Sequence, residues 1–132
     1  MKSRYLILML GVVVAFMPLA NAQFGVKYDS RAVSELVDRV HTDLDHAYGV
    51  HHFSGDERER LNHAEKELRD FAQKWNRGKF DKGQLDGAIS AIQHALDNNK
   101  MPPDARDAIS DDVSQLRKMR EAYDHHEIGD TR

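Results

Sequence analysis

Residues 41–52 read HTDLDHAYGVHH, four histidines and two aspartates in twelve positions. Imidazole and carboxylate groups ligate borderline transition metals, so metal binding is the first chemistry to weigh. A helix turns about 100° per residue, which sets His41 and His46 about 140° apart, too far around the axis to share one ion. His41 has Asp38 and Asp45 at three- and four-residue spacing, and His46 has Asp43. Each is read as a local surface pair, worth roughly a few tenths of a kcal/mol. His63 stands between Glu59 and Glu67 in the same way, and His94 falls nearly opposite the apolar face of its own helix.

What survives is a site at one end of the fold, where His46, His51, His52 and His94 would meet with Asp97 nearby. Three or four imidazoles there would suit Zn²⁺, Cu²⁺ or Ni²⁺. The plainer reading, and the one preferred, is a polar helix end where imidazole complements the negative end of the helix dipole. No metal or other cofactor is therefore expected, and these four histidines define the metal-binding alternative. The pair His125-His126 belongs to the other end of the chain's last element.

Other chemistries find no template. The pairs at Asp43–Asp45 and Asp97–Asn99 lack the glycine and the twelfth-position glutamate of a calcium loop. There is no His-Glu-x-x-His, no glycine-rich phosphate loop and no Gly-x-Ser-x-Gly elbow. No histidine has a glutamate three residues before it, as di-iron helical proteins require. Met119 is the one inward methionine, with no histidine facing it to complete a haem site. Cysteine is absent, which removes thiol catalysis and cluster ligation. No catalytic residue is assigned, and the expectation is a protein that is not an enzyme.

The elements that would carry these groups follow from the apolar spacing. Residues 1–22 read as a signal peptide: Lys2 and Arg4, an apolar run from Tyr5 to Ala20, and Ala20-Asn21-Ala22 as the cleavage pattern. As a helix that run would span roughly 24 Å at ~1.5 Å per residue, less than a ~30 Å hydrocarbon core. Cleavage after Ala22 leaves 110 residues with 17 basic and 22 acidic side chains and no membrane span. A net charge of −5 disfavours nucleic acid as a partner, since that needs a basic face.

Four amphipathic stripes follow. The first holds Val33, Leu36, Val37, Val40, Leu44, Ala47 and Tyr48, with Ser30 as cap and Gly49 as stop. The second opens on Ser54 and Glu57, a capping box, and carries Leu61, Ala64, Leu68, Phe71, Ala72 and Trp75 before Gly78. The third, capped by Asp81, carries Leu85, Ala88, Ile89, Ile92, Ala95 and Leu96. The fourth follows Pro102-Pro103 with Ala105, Ile109, Val113, Leu116, Met119 and Tyr123. No stretch alternates with period two.

Short connections between four such stripes predict an all-α, antiparallel up-down-up-down four-helix bundle over 23–123, with a flexible tail at 124–132. Phe71, Trp75, Phe80 and Tyr123, with Tyr28, should gather at the end opposite the histidines, as core packing rather than a ligand pocket. The functional expectation is an exported, non-enzymatic binding or interaction module of the bacterial envelope, periplasmic or secreted, whose partner is a protein or small ligand.

Overall fold

The computed structural model describes residues 28–127. The expected signal segment at 1–22 and the part of the tail beyond 127 lie outside the described residues. The described residues form four α-helices and no strand: α1 Ser30–Val50, α2 Gly55–Asn76, α3 Lys82–Asn98 and α4 Pro103–Asp124. Each helix packs on its neighbours in sequence, and α1 also packs on α4.

Most helix boundaries have a local chemical cause. Asp29, rather than the expected Ser30, caps α1, its Oδ1 accepting from the Ala32 amide at 2.8 Å. Gly49 does not stop that helix, because the backbone keeps helical angles through Val50 and the His51 amide still bonds to Ala47 O at 2.9 Å. Ser54 caps α2 by accepting from Glu57 N at 3.1 Å, and Asp81 caps α3 by accepting from Gln84 N at 3.1 Å. Pro103 occupies the first turn of α4, where its missing N–H leaves no helical bond unmade.

Two helices end in the same turn. After α2, Gly78 takes φ 87°, and the Lys79 and Gly78 amides bond back to Lys74 O and Trp75 O. After α4, His126 takes φ 62°, and the Glu127 and His126 amides return to Ala122 O and Tyr123 O. Both are Schellman closures, the first using glycine's tolerance of a left-handed backbone. Residues 125–127 thus form a hydrogen-bonded turn at the end of α4.

The apolar stripes meet in one core. Leu61, Leu85, Ile92, Leu116 and Met119 are fully buried, as are Leu44 and Leu68. The connections contribute as well: Phe53 from the α1–α2 link and Met101 from the α3–α4 link are both buried. Tyr48, Ala72 and Tyr123 lie at its margin, half-buried.

One end of the core is aromatic, as the sequence suggests. Phe80 meets Phe71 edge-on at 5.0 Å and Trp75 edge-on at 5.8 Å, and stacks on Tyr123 at 4.2 Å. Such pairs add about 0.5–1.5 kcal/mol each beyond their buried area. Trp75 Nε1 donates to Tyr28 O at 2.7 Å, tying the end of α2 to the approach of α1.

Candidate functional site

Among the described residues three acids are buried: Glu57, Glu65 and Asp112. Burial of a charged side chain is costly unless it is paired, so each marks a place where the fold accepts polar chemistry. Their positions explain how they come to be inside. Glu57 lies four residues before Leu61, Glu65 four after Leu61 and three before Leu68, and Asp112 three after Ile109 and four before Leu116. All three occupy the apolar faces of their helices.

Glu65 is held from α1. His41 Nδ1 lies 2.6 Å from Glu65 Oε1, and the Tyr48 hydroxyl donates to Oε2 at 3.2 Å. A carboxylate only accepts, so His41 donates through Nδ1 and keeps Nε2 free for another partner. The Glu65 hydrogen bond and charge raise the His41 pKa above its ordinary value. Burial, followed by the Glu65 charge and hydrogen bond, pushes the Tyr48 hydroxyl well above the usual phenol range, so it stays protonated. The Arg58 guanidinium covers the Tyr48 ring at 4.4 Å. Helical spacing offers His41 the neighbouring Asp38 and Asp45, but its hydrogen-bonding partner is Glu65, across the helix seam.

Beside this pair a cleft of about 210 Å³ opens between α1 and α2. Val37, Val40 and Leu68 supply its apolar lining, and His41 and Glu65 line it as well. Asp38 on α1 and Arg69 on α2 flank it. Both are exposed, and neither side chain has a hydrogen bond or ion pair to another described residue. Opposite charges thus stand unpaired on the two walls of an apolar groove.

A second polar feature lies between α1 and α4. Asp112 is 1 % exposed, and neither of its carboxylate oxygens has a hydrogen-bond partner among the described residues. Arg39 Nε approaches Oδ1 to 3.5 Å. Burial, then the neighbouring Asp43 carboxyl, pushes the Asp112 pKa up to about 8.

The histidines of the metal-binding alternative each have different surroundings. His46 Nε2 is 3.6 Å from Asp104 at the start of α4, rather than beside Asp43. His51 Nε2 is 3.0 Å from Asn99 Oδ1, and its ring meets Phe53 edge-on at 4.7 Å. His94 Nδ1 lies 3.4 Å from the Glu57 carboxylate and 3.3 Å from Arg60 Nη1. His52 is exposed. Among the described residues, no group of three or more histidines and carboxylates is placed to hold a metal ion. His63, by contrast, pairs with Glu67 at 3.5 Å as its spacing suggests.

Among the described residues, four helices carry an apolar cleft with charged side chains beside it on the α1–α2 seam. No protein-family model, curated protein sequence or solved structure matches the chain. Among the described residues, no helix is long and apolar enough to cross a membrane.

Proposed function

We propose that the chain is an exported protein of the bacterial envelope that acts by binding, through the cleft between α1 and α2, and not by catalysis. Its four helices run antiparallel, up-down-up-down, as a bundle. The short connections support that course, as do the bonds joining the end of α2 to the approach of α1 and the ends of α1 and α3. The charged, apolar and small-residue zones of residues 1–22 support export.

The observation that carries the binding role is the cleft itself, an apolar groove flanked by unpaired Asp38 and Arg69. Ligand sites are typically apolar concavities with a few polar groups fixing orientation. Glu65 uses both oxygens on His41 and Tyr48, and no serine, threonine, cysteine or lysine lines the cleft.

Two measurements test this reading. Expression in a bacterium followed by fractionation should recover the protein from the envelope or medium with Gln23 as its first residue; retention in the cytoplasm would refute export. The full chain, immobilised and exposed to envelope extract, should retain components identified by mass spectrometry that an Asp38→Trp variant does not. Equal retention by both would refute the cleft as the binding site.

A further inference from the structure

The cleft's chemistry narrows its ligand. At about 210 Å³ it falls below the ~300 Å³ at which pockets for larger small molecules begin, so the occupant has few heavy atoms. Its lining by Val37, Val40 and Leu68 favours an aliphatic body. An anion finds the unpaired Arg69 guanidinium on the cleft's wall and, when His41 is protonated, a second donor in its Nε2–H. A cation finds Asp38 on the α1 wall, where the carboxylate is likewise unpaired. Glu65 offers little competition for that cation, since both its oxygens are already taken.

We propose that this cleft binds a free aliphatic α-amino acid, its carboxylate on Arg69 and His41, its ammonium on Asp38 and its side chain over Val37, Val40 and Leu68. A singly charged ligand would leave one wall's charge unanswered; a zwitterion of this size satisfies both. The hydrogen bond to Glu65 fixes the ring of His41 and supports its protonated form, which favours a carboxylate at Nε2. This inference rests on the cleft being the binding site.

The test is an NMR titration of the full chain with leucine, 4-methylpentanoate, which lacks the ammonium, and 3-methylbutylamine, which lacks the carboxylate. Leucine should shift the signals of Val37, Val40 and Leu68 saturably, and each truncated probe should bind about tenfold more weakly, the scale of one charge-assisted hydrogen bond. Arg69→Gln should bring leucine down to the affinity of the amine, and Asp38→Asn down to that of the acid. Both substitutions are at exposed positions, and an unchanged spectrum outside the cleft checks that the fold is intact.

Equal binding of the three probes, or no saturable shift with leucine, would overturn the zwitterion. Either result would leave the cleft as a binding site if extract components are still lost in the Asp38→Trp variant. Retention indifferent to that variant would refute the binding site itself.

Discussion

His41 and Glu65 are joined across the α1–α2 seam by a 2.6 Å contact between an exposed imidazole and a buried carboxylate. The histidine thereby shares with Tyr48 the satisfaction of an acid placed on an apolar helix face. The same contact fixes an imidazole that lines the cleft.

The His41 pKa is raised by the Glu65 hydrogen bond and charge, so the pair's contribution to stability has a definite sign. It is complete below the ordinary histidine value of 6.5 and falls away as pH rises through the higher folded value. With the His41 side chain 52 % exposed, solvent screening keeps the effect on unfolding small. NMR titration of the imidazole signals should show His41 titrating above 6.5, and Glu65→Gln should return it toward that value.

Asp112 shares that pH direction, but there it is the neutral form that the fold favours. Its folded pKa of about 8 stands above the ordinary 3.8, so the folded state holds a proton that the unfolded chain releases. Stability should therefore fall as pH rises between about 4 and about 8. Asp112→Asn keeps the shape, removes the ionisation and supplies an N–H donor toward Asp43. Urea unfolding should find the variant more stable by about 1–3 kcal/mol at pH 9, with a smaller gain at pH 5.

Phe53 comes from a connection, yet it is 1 % exposed and meets both Tyr48 and His51 edge-on. Phe53→Ala should cost about 3–5 kcal/mol in urea unfolding, as for an aromatic residue inside a helix-packed core. A loss below ~1 kcal/mol, the usual range for a solvent-facing loop position, would contradict the burial.

Asp81 combines two roles, accepting from Gln84 N at 3.1 Å and from Lys74 Nζ at 2.7 Å. Lys74, then the Gln84 amide, holds its pKa below 3.8. The contribution is present above that ordinary value and lost as pH falls through the lower folded one. Asp81→Ala should cost about 1–2 kcal/mol at pH 7 and much less near pH 2, measured by denaturant unfolding at both.

The four-ligand alternative has its own check. Because His46, His51 and His94 each face a different partner, calorimetric titration with Zn²⁺ or Cu²⁺ should yield no submicromolar site. Replacing His51, His52 and His94 should leave the titration unchanged.

Helical spacing made the core legible: every residue assigned to an apolar stripe is buried or half-buried. Capping chemistry located the starts of α2 and α3 for the same reason, since Ser54 and Asp81 act within one turn of themselves. The site was harder to see because it depends on contacts between helices. Reading His41 from α1 alone offers Asp38 and Asp45, whereas Glu65 stands 24 residues away. A signal was present all the same. Glu57, Glu65 and Asp112 interrupt the apolar faces of their own helices, and an acid at such a position must find a partner or a proton. Phe53 and Met101 escaped because a connection has no period from which burial can be read.

Trp75 is the only tryptophan in the chain, it is 7 % exposed, and its indole N–H is committed to the backbone of Tyr28. Its emission spectrum is consequently a gauge of one junction, the seating of the α1 approach against the end of α2. Undocking of that junction would wet the indole and red-shift the fluorescence while the backbone far from it kept its helical circular dichroism. The molecule carries its own optical probe of whether its first helix is home.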